Sequence, residues 1–277
     1  MKATELSRTI LRLFLLAILA VIFVYPFWWM VVNSLNNPND IFGTPTLLPR
    51  SWQWKNYVEV FQVQPFGRHY LNTLVVAILG TVGNVVVAAL SGYAFARIKF
   101  PFKNALFMLL LTAMMMPIEV TIIPMYFQMM KLGMLNTLTP LILIPIFCSQ
   151  GAFSAFLFRQ HFITVPKELE EAACLDGLTT AQIFVKIMFP VAKPVVATAA
   201  IQAFLTAWNA YLEPLVFISD IKKFTLTLSM ANFNDTYGLP QWHLQLAATT
   251  LSVLPVMLVY LMFQRKISDA MVNSGMK

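Results

Sequence analysis

The segment Glu171-Ala172-Ala173-Cys174-Leu175-Asp176-Gly177 gathers acids, small apolar side chains and a turn-forming glycine, the residue types of a compact docking surface. It predicts a short helix that opens near Pro166 and carries Glu168, Glu170 and Glu171 where the positive end of the helix dipole favours acids. Gly177 ends it, because glycine adopts the left-handed conformation at low cost. Leu169, Ala172 and Ala173, at i, i+3 and i+4, give a narrow face of mostly small side chains beside the Glu171 carboxylate, a face that another protein's groove can approach closely. Thr179 restarts the helix with Gln182 at capping-box spacing, and Pro190 closes it. A helix resting on lipid usually carries Lys or Arg beside bulky anchors; acids crowded into one turn favour a protein partner instead.

A second set of polar residues interrupts otherwise apolar sequence. Gln202, Thr206, Asn209 and Glu213 stand at i, i+4, i+7 and i+11, which predicts a polar stripe on one helix face; Gln245, Thr249 and Ser252 repeat the pattern. Burying Glu213 in lipid would cost about 2.5–3.5 kcal/mol near a span's centre, so it is expected to face the bundle or a watery cavity. At about 1.5 Å per residue from Pro194 it sits roughly 28 Å up, toward the outer side. Two chemistries fit the stripe. Such residues hold helices to one another inside membranes; equally, they make a wall for the hydroxyls of a sugar, with Trp208 or Tyr211 as a stacking surface. Glu119, between Pro117 and Pro124, is open to the same two readings.

Enzyme chemistry finds no footing. There is no Gly-rich Lys-Ser/Thr loop for nucleotide phosphates, and His69, His161 and His243 lie in separate places without Cys or carboxylate at metal-ligand spacing. They read as interfacial or solvated residues, with no catalytic group, metal site or cofactor expected on this chain. Cys148 and Cys174 fall in different compartments, so no disulfide is implied.

The elements that must position these residues follow from composition. A chain of 277 residues that is 58% hydrophobic and 11% charged cannot hide its apolar side chains in one water-soluble core. Stretches 10–32, 70–96, 104–128, 138–158, 194–219 and 242–263 are each long enough, at about 20 residues, to cross a hydrocarbon core as helices. Pro117 and Pro124 are expected to kink the third. The net charge of +7 suggests no nucleic-acid partner, because 13 of the 19 Lys and Arg fall on one side of these spans, from Lys2 and Arg8 to Arg265, Lys266 and Lys277. That asymmetry puts both termini and the 159–193 loop in the cytoplasm. The first span, 10–32, lacks a small-residue cleavage site at its end and is expected to stay as an anchor. In the first outer loop, 51–61 mixes aromatics and charges like a short interfacial helix, either a cap on the spans or a receiver for a partner protein.

With these residues in view, the chain resembles the permease subunits of ABC importers, in the maltose-transporter type and as the smaller of two paired permeases. The loop signature carries the resemblance: Glu171-Ala172-Ala173, three residues, Gly177, nine residues, Ile187, one residue, then Phe189-Pro190, with Phe189 in place of Leu. So do Asn72-Thr73-Leu74, Ser91-Gly92-Tyr93-Ala94-Phe95-Ala96-Arg97, Met116-Pro117, Ile123-Pro124, Trp208-Asn209 and Pro214-Leu215. The resemblance implies an all-α integral membrane fold with six transmembrane helices and a coupling-helix loop between the fourth and fifth. It implies one permease domain over 1–277, with its core at about 70–263, in the bacterial inner membrane. It also implies a second permease, two ATP-binding subunits that carry ATP and Mg, a solute-binding protein and a carbohydrate cargo. Glu171, Ala172, Ala173, Asp176, Gly177 and Pro190 would couple to the ATPase, while Glu119, Gln202, Thr206, Trp208, Asn209, Tyr211 and Glu213 would line the path. Glu213 departs from the bulky apolar or aromatic residue common there, which leaves substrate chemistry open. Alternatives are a polyol or glycerol phosphate cargo, or a stand-alone proton- or ion-coupled transporter using Glu119 and Glu213.

Overall fold

Helices make up most of the computed structural model, which describes residues 2–234 and 237–274. Among the described residues there is no β-strand, only an isolated bridge between Asn234 and Pro240. Met1 and Lys277, which charge asymmetry assigns to the cytoplasm, lie outside the described residues. In chain order the helices are α1 (Lys2–Ser34), α2 (Lys55–Val63), α3 (Phe66–Arg97), α4 (Lys103–Met115), α5 (Ile118–Lys131), α6 (Thr139–Phe147) and α7 (Ser149–Thr164). There follow α8 (Glu168–Leu175), α9 (Thr180–Ile183), α10 (Phe189–Val191), α11 (Lys193–Asn209), α12 (Leu212–Phe217), α13 (Leu226–Met230) and α14 (Trp242–Ser274).

Arg8–Ser34 of α1, the whole of α3, and Thr139–Thr164 across α6 and α7 are each long and apolar enough to cross a bilayer. The expected span 104–128 is a different object: α4 and α5 meet at 104°. Pro117 causes the break, since it lacks an N–H and forces Met116 into extended geometry at ψ 117°. Pro124, by contrast, sits inside α5 without ending it.

The expected span 194–219 also fails to run through as one helix. α11 stops at Asn209, and Ala210 leaves helical geometry at ψ 128°. Pro214 accounts for this, because a proline ring collides with the carbonyl four residues back, here that of Ala210. Placed in the first turn of α12, the same proline costs nothing.

A third interruption, at Cys148, falls inside the span predicted over 138–158. A Cβ on Gly151 would lie 1.9 Å from the Ile146 carbonyl oxygen, so the step from α6 to α7 requires glycine. The Asn84 side-chain amide donates to the Pro145 carbonyl at 2.8 Å, satisfying an acceptor beside the break.

Two compact units divide the chain, one of Met1–Phe66 with Met230–Leu254 and one of Gly67–Ser229 with Pro255–Lys277. In the first, the apolar residues of α1 from Ile10 to Phe27 are largely exposed, the condition of a lipid-facing anchor. Buried Asn56 of α2 donates to the Ser34 and Asn36 carbonyls at 2.9 and 3.1 Å and ties that helix over the end of α1. In the second unit, Ala88, Ala89 and Tyr93 of α3 pack with Ala155, Phe158 and Phe162 of α7 and with Met188. A Cβ on Gly92 would fall 2.5 Å from that of Phe158, so the glycine permits the close crossing of the two helices.

Candidate functional site

The 159–193 loop builds its geometry from local caps. α8 opens with Glu168, Glu170 and Glu171 in its first turn. At its end Gly177 takes φ +82°, its N–H donates to the Cys174 carbonyl, and the Leu178 N–H reaches the Ala173 carbonyl, both at 3.0 Å. These paired bonds are a Schellman cap. Thr179 then starts α9 with both halves of the capping box made, its N–H to Gln182 Oε1 at 2.9 Å and its Oγ1 accepting from the Gln182 N–H. Pro190 does not close the helix that follows. A π turn over Phe184–Met188 hands the Phe189 N–H to the Phe184 carbonyl. The wider turn carries the chain past Pro190 to Val191 before a 77° bend into α11.

The face expected from Leu169, Ala172 and Ala173 is split. Ala173 is 3% exposed and sits among Phe158, Phe162, Ile183 and Met188. The outward face is Glu171, Ala172, Asp176 and Leu175, the last 90% exposed. Glu170, one residue before Glu171, turns the other way. Its Oε1 lies 2.9 Å from Arg97 Nε, and its Oε2 accepts from the Tyr93 hydroxyl at 3.3 Å.

Within α11, Ala199, Ala203 and Ala207 form the buried face, and Thr206 and Asn209 point outward, with Gln202 half-buried on the same side. Asn209 donates to the Leu205 carbonyl at 2.8 Å. Glu213 is not the continuation of this stripe, because the helix has already ended. It returns instead through space, where the half-buried carboxylate lines a cleft with Thr206, Ala210, Pro214 and Thr225. Tyr211 is exposed at the break. Trp208 is 3% exposed, its ring stacked on Phe204 at 5.5 Å and met edge-on by Tyr70 at 5.8 Å, so no free face remains for a sugar. Glu119 is exposed in the first turn of α5, apart from the residues that line the cleft. The stripe on α14 spends hydroxyls on its own backbone, Thr249 to the Gln245 carbonyl at 2.7 Å and Ser252 to that of Thr249 at 2.8 Å. Among the described residues, no three His, Cys, Asp or Glu side chains gather as a metal site requires.

The pattern of the binding-protein-dependent transport system inner membrane component family matches residues 84–273, well over half the chain. The chain belongs to that family. Curated relatives agree. The diacetylchitobiose uptake system permease protein NgcG of Streptomyces coelicolor is 31% identical over 92% of this chain and 85% of its own. The sn-glycerol-3-phosphate transport system permease protein UgpE of Pectobacterium atrosepticum is 35% identical over 94% of each. A chain from a crystal structure of a bacterial ABC transporter involved in the import of the acidic polysaccharide alginate superimposes with a TM-score of 0.80. It covers 95% of this chain and 97% of its own at 22% identity, which makes the fold common to both. The protein is thus an inner-membrane permease with an ABC-importer permease fold.

Two features of the permease escape sequence reasoning. Thr225 is 2% exposed, its hydroxyl unpaired at the cleft, yet it lies beyond every predicted span in a loop with no distinguishing signal. The second is the work done by Asn72-Thr73. Asn72 donates to the Lys222 and Phe224 carbonyls at 3.1 and 2.9 Å, and Thr73 Oγ1 accepts from the Leu226 N–H at 2.8 Å. His69, expected to be interfacial or solvated, is fully buried and donates through Nε2 to the Ile221 carbonyl at 2.7 Å. The first turns of α3 therefore clamp the loop that carries Thr225.

Proposed function

We propose that the permease is the membrane subunit of an ATP-driven carbohydrate importer, forming the path with a second permease and receiving cargo from a solute-binding protein. Family membership supports this most strongly, and relatives named for diacetylchitobiose uptake and sn-glycerol-3-phosphate transport support a sugar or sugar-like cargo. The outward face of Glu171, Ala172, Leu175 and Asp176 is where one of two ATP-binding subunits docks. Thr206, Asn209, Glu213 and Thr225 form the wall that meets cargo hydroxyls. Trp208 positions that wall from behind.

The test is uptake by the complex purified with its partners and reconstituted in proteoliposomes. ATP-dependent uptake of a labelled oligosaccharide is the expected result. Uptake by this chain alone, driven by a proton gradient, would overturn it. Glycerol 3-phosphate is the second reading, favoured by the UgpE relatives; competition between the two solutes separates them.

A further inference from the structure

We propose that Glu170, Arg97 and Tyr93 form a latch through which the coupling helix α8 drives α3, making Glu170 the positioning residue that passes the ATPase stroke into the membrane. This rests on the reading of the neighbouring outward face as the ATPase contact. The two adjacent glutamates divide the work. The Glu171 carboxylate points outward without a hydrogen bond or ion pair among the described residues, whereas Glu170 is paired with Arg97 where the side chains are only 19% and 8% exposed. A pair so shielded is not of the weak, solvent-screened class. Arg97 also donates to the Val165 carbonyl just before α8, and Arg159 of α7 donates to the Phe95 carbonyl at 3.2 Å. Ala173, one turn on from Glu170 on the same inward side of α8, sits in the apolar cluster. A push on α8 therefore meets α3 through an ionic tie and a packed seat, with little slack.

What α3 can do with that push follows from its continuity. α4 with α5, α6 with α7, and α9 through α11 are each interrupted, but α3 runs unbroken from Phe66 to Arg97, about 48 Å at the usual rise. Its far end holds the loop of Thr225 through Asn72 and Thr73. One stiff helix thus links the latch to the cleft.

The test uses the reconstituted complex with its ATP-binding subunits and solute-binding protein, comparing Glu170→Gln, Arg97→Glu, the exchange Arg97→Glu/Glu170→Arg, and Asn72→Ala. Glu170→Gln is expected to keep its ATP-binding subunits while ATP hydrolysed per solute imported rises about fivefold or more. The exchange should restore coupling that Arg97→Glu alone loses. Asn72→Ala should uncouple as well, and combined with Glu170→Gln it should be no worse than the stronger single variant. Wild-type coupling in Glu170→Gln, loss of the ATP-binding subunits from it, failure of the exchange to rescue, or additive effects would each overturn the latch while ATP-driven uptake by the unaltered complex stands. Absence of that uptake would overturn the importer reading and the latch with it.

Discussion

The end of α8 and the end of α11 solve the same problem in opposite ways. Each helix must stop and leave its last carbonyls satisfied. At α8 the answer is local: Gly177 turns left-handed, its neighbours close the Schellman bonds, and Thr179 caps the next helix. At α11 there is no glycine. Pro214 forces the stop from ahead, and support comes from afar, as when the Thr227 hydroxyl donates to the Trp208 carbonyl at 3.0 Å. A locally capped helix holds its shape wherever it is pushed, which suits a docking tooth. A break held by distant side chains changes when its neighbours move, which suits the wall of a path that must open and close.

The hardest blow to this contrast is Gly177→Val. Nothing lies within 4 Å of a Cβ added there, so the cost is conformational, about 1–2 kcal/mol for a left-handed residue and more for a β-branched one. ATP-driven uptake is expected to fall roughly tenfold with the protein still in the membrane, and Gly177→Asn, whose side chain tolerates that conformation, should fall far less. Equal losses in the two variants, measured as initial uptake rates, would mean that space rather than φ matters.

Glu171→Lys comes next. Reversing charge on the outward face should weaken recovery of the ATP-binding subunits on affinity purification by several-fold, and Glu168→Lys, one turn earlier on the same exposed face, should weaken it too. Normal recovery and uptake in Glu171→Lys would remove the docking face.

On the other side of the comparison, Asn209→Ala and Glu213→Leu should lower uptake or shift preference among sugars by about 1–3 kcal/mol per lost hydroxyl contact, with assembly intact. Unchanged kinetics across the sugars tested, or failure of both variants to assemble, would make these residues helix ties. The smallest effect is on stability in Thr225→Val. Replacing a buried, unpaired hydroxyl with a methyl should leave the unfolding temperature in detergent unchanged or slightly raised, and altered uptake against that background would place Thr225 on the cargo.

Topology offers a check on the frame in which both regions sit. A cysteine at Lys167, with Cys148 and Cys174 replaced, is expected to resist an impermeant thiol reagent applied outside intact cells. Labelling from outside would invert the assignment of the loop to the cytoplasm.

Sequence alone determined the membrane class, the loop signature and both caps of the 159–193 loop, because these depend on composition and on residues within four or five positions of each other. Gly177 and the Thr179–Gln182 pair adopt the geometry their spacing predicts. Only the tertiary structure decided which side of α8 each residue faces, since an eight-residue helix with apolar residues on both sides has no phase that periodicity can choose; the Phe158–Phe162 cluster claimed Ala173, and Arg97 claimed Glu170. It also decided the fate of the polar stripe. Extending a helical count through the break at Ala210 put Glu213 on the face of Thr206 by arithmetic, whereas the broken chain puts it there by folding back. Thr225 joins them from a loop that α3 holds in place. Contacts between residues 12 or more apart leave no periodic trace in a single sequence, so the cleft and the latch became visible only once the helices were packed.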